Sequence, residues 1–120
     1  MEHFHNIPFF KKAFGMHPDV ELTTLNWELV RYISEMTEFN NLETYEETYP
    51  TFDTYDFFCF VTDVGLDFEL VTTDGLLWVS CINNNNNTKS SVFLEIEEDA
   101  HNYIPSMGLY AIAKMYGFGE

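Results

Sequence analysis

LDFELVTTDGLLWVSCI, residues 66–82, decides the architecture. Leu66, Phe68 and Leu70 alternate with Asp67 and Glu69, as a pleated strand with one wet face requires. Asp74-Gly75 then separates this run from LLWVSCI, and Asp-Gly between apolar segments is a strong short-range hairpin signal. Downstream, the five asparagines 83–87 with TKSS predict another turn. VFLEIE then alternates again, with Val92, Leu94 and Ile96 set against Glu95 and Glu97. Upstream, TYDFFCFVT is dense in aromatic and β-branched residues and is bounded by Asp63 and Gly65, the composition of a further strand.

Helical signals flank this block. NIPFFKKAFG (6–15) predicts a short helix with Asn6 as cap, Pro8 in its first turn and Gly15 at a left-handed terminus. TTLNWELVRYISEM repeats Leu25, Leu29, Ile33 and Met36 at helical spacing, with Thr23 or Thr24 available as cap. PSMGLYAIAKMYG predicts a last helix, Pro105 near its start and Gly117 past its end. Between Glu38 and Pro50 the periodicity fades, and a solvated loop with at most a helical turn is expected. The fold class expected is α+β: an antiparallel sheet of about four strands in a meander, packed against about three helices, in one domain over residues 1–120.

The charge narrows the partners. Twenty acidic residues against five basic ones leave a formal net charge of −15. Binding bare nucleic acid or an anionic membrane requires cations that this chain lacks. Charge of one sign destabilises the compact state by self-repulsion, but it favours solubility and steers oppositely charged partners. From residue 32 to residue 88, 57 residues carry 11 carboxylates and no Lys, Arg or His, so no neighbour in sequence neutralises them. The densest part, NNLETYEETYPTFDTYDFF (40–58), mixes Glu43, Glu46, Glu47, Asp53 and Asp56 with aromatics. Tyr45, Tyr49, Phe52, Tyr55 and Phe57 are candidate interface anchors, since aromatic faces meet Arg and Lys well. Phe57, Phe58 and Phe60 equally suit the core.

On the predicted strands, Asp67 and Glu69 lie two residues apart on one face, about 6.6 Å along the chain. Glu95 and Glu97 repeat the arrangement, so four carboxylates are expected to share the solvent face. Together with Glu38, Asp63, Asp74, Glu98 and Asp99 they complete the acidic surface that a basic partner would meet.

Other chemistry finds little support. His3 and His5 are two apart, and His17 and His101 are scattered, without the spacing of a helical zinc site. GLDFELVTTDG lacks the EF-hand pattern. Cys59 and Cys81 form no CxxC pair and are expected to be buried, reduced thiols. There is no GxSxG, P-loop or dinucleotide fingerprint, and alternation turns the carboxylates outward, away from the burial that acid–base catalysis needs. The expectation is a protein that is not an enzyme and holds no cofactor or metal. MEHFHNIPFF does not read as a secretory signal and no apolar run reaches the roughly 20 residues of a membrane span, so a cytoplasmic monomer is expected.

The length, the charge, the aromatic content and the paired acids Asp67 with Glu69 and Glu95 with Glu97 resemble the small bacterial and phage DNA-mimic proteins, most of all the HU-binding kind. That group shares neither motif nor fold, so no residue role is carried over. The resemblance implies an acidic surface that competes with DNA for a basic, HU-like DNA-binding protein. A small acidic immunity protein covering a basic nuclease toxin uses the same electrostatics and is the alternative.

Overall fold

The computed structural model describes residues 11–37, 42–84, 87–95 and 103–118. Residues 11–13 are helical and Gly15 takes φ 68°, the left-handed terminus expected there. The first full helix, α1, spans Leu22–Thr37. Leu25, Leu29 and Ile33 are fully buried, whereas Met36 is exposed, so the core stripe ends one turn before the periodicity does. The helix also starts earlier than expected, Leu25 N–H bonding to Glu21 O, which places Thr23 and Thr24 inside its first turn.

The next two elements correct the sequence reading. Leu42–Thr48 forms a seven-residue helix, α2, where a loop was expected. Its one buried side chain, Tyr45, packs against Phe60 with ring centroids 5.8 Å apart. TYDFFCFVT is helical too: Thr54–Asp63 is α3, which removes the fourth strand. Two physical effects outweigh its β propensity. In a strand, Phe57 and Phe60 would lie on opposite faces, whereas in a helix Phe57, Phe60 and Val61 share one face, and all three are buried. Each such side chain contributes about 1.5–3 kcal/mol when fully buried. The second effect is a capping box: Asp53 Oδ1 accepts the Asp56 N–H and Asp56 Oδ2 accepts the Asp53 N–H, each at 3.0 Å.

Three strands follow, β1 (Asp67–Thr73), β2 (Leu76–Asn83) and β3 (Thr88–Glu95), in one antiparallel sheet of order β1-β2-β3. Thr73 pairs with Leu76 across the hairpin, where Asp74 at φ 48° and Gly75 at φ 78° supply the two positive dihedrals of a type I′ turn. TKSS, expected in the second turn, belongs to β3, with Asn83 paired to Thr88.

The last helix, α4 (Ile104–Met115), is the centre of the molecule. Every residue from Ile104 to Ala113 is buried, as in a helix covered on all sides. The sheet lies against it, the Cys81 thiol reaching Gly108 O at 3.7 Å, while α1 and α3 pack on it elsewhere. Gly108 is required by close approach: a Cβ there would stand 2.2 Å from the Phe57 ring. Pro105 lies in its first turn and Gly117 follows it at φ 91°, both as the sequence predicts. The architecture is α+β, with a three-stranded antiparallel sheet.

Candidate acidic interface

The carboxylates around α2 and α3 fall into three kinds of environment. Glu43 and Glu47 on α2, and Asp63 at the end of α3, are exposed. Glu46 is half-buried and lies 3.2 Å from the Arg31 guanidinium, which also bonds Glu28 one turn earlier on α1. A cation outside the cation-free stretch is thus folded back onto it, and Glu46 is partly neutralised. Asp53 and Asp56 are occupied as each other's caps; Asp53 stays exposed, but Asp56 is turned inward. Burial pushes the Asp56 carboxyl above the usual range, against the lowering effect of the backbone N–H it accepts.

The aromatics divide as sharply. Phe52, Phe57 and Phe60 are buried and Phe58 is half-buried, so the phenylalanines hold the surface from beneath. Tyr45 is also buried, its ring 4.7 Å from Tyr49. Desolvation first, and then the nearby Asp63 carboxylate, push its phenol well above the ordinary range. Tyr55 alone of this group stands out into solvent, 72% exposed, and the neighbouring Cys59 thiol raises its phenol above the ordinary range. Cys59 is half-buried, against the expectation of burial, and Cys81 is fully buried; both are free thiols.

On the sheet, Asp67 and Glu69 are exposed on the same side, as alternation requires. Asp67 Oδ2 accepts a hydrogen bond from the Asn84 amide. The row containing Asp67 continues through Ile82 to Lys89, about 10 Å away across two strands. Lys89 Nζ lies 5.7 Å from the centre of the Trp78 ring. This face therefore carries a cation and an indole as well as acids. Leu70, expected inside with Leu66 and Phe68, is 41% exposed on the edge strand, although Val79 opposite it is fully buried. Asp74 is exposed at that turn. Glu95 pairs with Leu76, in the row of Thr73, six residues along β1 from Asp67 and about 20 Å away. Asp67 with Glu69 and Glu95 thus mark opposite ends of the sheet and form no continuous row. Glu38, Glu97, Glu98 and Asp99 lie outside the described residues, as do His3, His5 and His101. His17 is exposed beside Asp19, 3.6 Å away.

Three acidic positions are unfavourable for folding. Glu35 in the last turn of α1, Glu47 in that of α2 and Asp63 at the end of α3 stand at the negative ends of helix dipoles, and none of these turns carries a basic residue. Each charge so placed costs about 0.3–1 kcal/mol. Spacing along the chain missed a different feature, a cleft of about 330 Å³ where α1, α3 and α4 begin, lined by Asn26, Phe52, Asp53 and Pro105 among others. Its walls come from three separate segments, residues 22–26, residues 51–55 and Pro105, and only the capping pattern at Asp53 hinted at one of them. Comparison with protein-family models, with curated proteins and with solved structures yields no match to this chain. Among the described residues no helix is long and apolar enough to cross a membrane.

Proposed function

We propose that this chain is a DNA mimic, a non-enzymatic binder whose acidic surface occupies the DNA-binding site of a basic, HU-like bacterial DNA-binding protein. The observation that carries the reading is the set of acids at the wrong helix ends, Glu35, Glu47 and Asp63, in a chain of net charge −15. Selection for stability alone would remove them or place cations beside them, so their charge serves something outside the fold. Exposed Glu43, Glu47, Asp63, Asp67, Glu69 and Asp74 present that charge on helices, strands and a tight turn, at positions set by the backbone. Negative charge held on a stiff surface is what a duplex offers its binders.

The test is displacement. Titrated into a preformed complex of an HU-like protein with duplex DNA, the chain releases the DNA, less effectively as salt rises, and binds no DNA by itself. A stable ternary complex, or a saturable complex of this chain with DNA, would reject the reading.

A toxin-immunity role is the second reading, and Tyr55 favours it. An exposed tyrosine in the first turn of α3, two residues after the exposed Asp53, is a local aromatic and acidic feature of the kind that anchors a tight one-partner interface. Truncating Tyr55 to Ala separates the two. A mimic that spreads contacts over its surface keeps its affinity for the HU-like protein, whereas an anchored immunity interface loses its nuclease.

A further inference from the structure

β1 lies at the edge of the sheet, with β2 as its one strand neighbour among the described residues. We propose that its free edge takes up an extended, lysine- or arginine-bearing segment of another protein as a fourth, antiparallel strand, an inference independent of the DNA-mimic reading.

The first observation is exposure on both faces of one strand. Glu69, Leu70, Val71 and Thr72 are consecutive and all exposed. Leu70 points to the inner face, where Val79 opposite it is fully buried, and Val71 points to the outer one; they are 41% and 49% exposed. A helix or loop laid on the sheet would cover one of the two. A neighbouring strand covers both, because its side chains flank those of β1 on each face.

The second is the main chain. The pair flanking a two-residue hairpin turn exchanges main-chain bonds, and bonded pairs alternate along an antiparallel ladder. Thr73, Val71 and Glu69 therefore bond β2, and Leu70 and Thr72 turn their N–H and C=O groups to the open side. Among the described residues no main-chain bond from a turn, loop or cap reaches this stretch. Edge strands are ordinarily closed by lysine, proline, a bulge or brevity. β1 has seven residues, an unbroken register and neither Lys nor Pro, whereas β3, the opposite edge, carries Lys89.

Charge selects the occupant. Asp67 and Glu69 are exposed on the outer face of β1, Asp74 follows at the turn, and residues 32–88 hold no Lys, Arg or His. A second copy of β1 would bring the same acids and another net charge of −15 to this edge, and like charges on adjacent strands oppose pairing. A strand with Lys or Arg facing Asp67 and Glu69, and an apolar residue facing Leu70, meets both the acids and the uncovered apolar surface, with main-chain bonds supplying affinity.

The probe is the acetylated, amidated peptide Lys-Val-Lys-Val-Lys-Val-Lys, titrated into the ¹⁵N-labelled full chain while amide hydrogen exchange is followed by NMR. At peptide about tenfold above its Kd, exchange at Leu70 and Thr72 should slow about tenfold, since those N–H groups are open only in the free protein. In antiparallel pairing the valines lie opposite Leu70 and Thr72, so N-methylating them removes the bonds to β1 and should weaken binding about tenfold or more. N-methylating the lysines, whose N–H groups face away, should not. The double variant Asp67→Asn with Glu69→Gln keeps the side-chain shapes and should bind the unmodified peptide between about twofold and thirtyfold more weakly. Unslowed exchange, full binding by the N-methylvaline peptide, or unchanged affinity in the folded double variant would each overturn the proposal. Slowing at Leu70 and Thr72 that needs no peptide and grows with protein concentration would give the edge to a second copy, and would overturn it equally.

Discussion

Asp53 and Asp56 each accept the other's backbone N–H at 3.0 Å, and this reciprocal pair starts the helix that carries Phe57, Phe60 and Val61 into the core. Two of the carboxylates in the most acidic stretch are therefore engaged in folding the chain.

The pH dependence of stability tests that role. The Asp56 carboxyl sits above its ordinary range, chiefly through burial. A raised folded-state value means that the native state holds the proton more tightly than the unfolded chain does. The contribution is thus full below the unfolded value of about 3.9 and is lost as pH rises through the folded one. Asp56→Asn keeps an oxygen for the Asp53 N–H and removes the charge. The variant should be at least as stable as the parent at pH 7 and should gain less on acidification. Urea midpoints from pH 7 down to the carboxylate range check this, and a uniform loss at every pH would contradict it.

Gly108→Ala should destabilise the protein although alanine favours helices by about 0.8–1.0 kcal/mol over glycine. The added Cβ would stand 2.2 Å from the ring of Phe57, which is itself fully buried and cannot swing away. Overpacking of this kind costs about 1–3 kcal/mol. Combining it with Phe57→Leu should recover part of the loss beyond additivity, measurable as a coupling in a double-mutant cycle of urea denaturation.

Thiol labelling distinguishes the two cysteines. Cys81 is fully buried, and burial pushes its thiol well above the ordinary range, so little reactive thiolate forms. Cys59 is half-buried. Iodoacetamide should add one label to the native protein, at Cys59, and a second only after denaturation, as read by peptide mass. Equal native labelling rates would mean that the α4–β2 contact opens readily.

Glu46 and Glu47 are adjacent in sequence but should behave differently when mutated. Glu46→Lys breaks the 3.2 Å contact with Arg31 and places a second cation beside it, so it should lower stability as well as binding. Glu47→Lys relieves an acid at a helix C-terminus; it should leave stability unchanged or slightly raised, by about 0.3–1 kcal/mol, and slow association with an HU-like protein at low salt. Stopped-flow association rates alongside thermal melts separate the two effects. Equal stability losses in both variants would remove Arg31 from the argument.

Features governed by a few consecutive dihedrals were legible from the sequence. The Asp74-Gly75 hairpin needs two positive φ values, which few residue pairs adopt, and Pro105 and Gly117 bracket α4 for equally local reasons. The alternation of Asp67 and Glu69 with Phe68 set their face, because the pleat has a period of two.

TYDFFCFVT satisfies strand propensity locally, and it became a helix because only the helical period places Phe57, Phe60 and Val61 together against α4. The pattern Asp53-x-x-Asp56 was present to be read as a cap, but an apolar run of this length is ambiguous between the two structures. Tertiary structure alone decided that Arg31 returns to Glu46, that Asp67 with Glu69 and Glu95 stand at opposite ends of the sheet, and that Asn26, Asp53 and Pro105 wall one cleft. The amount and sign of the charge belong to the sequence itself. The Asp53–Asp56 cap is local, but which carboxylates are paired with a cation, as Glu46 is with Arg31, depends on contacts between residues farther apart in the chain, and those exist only in the folded structure.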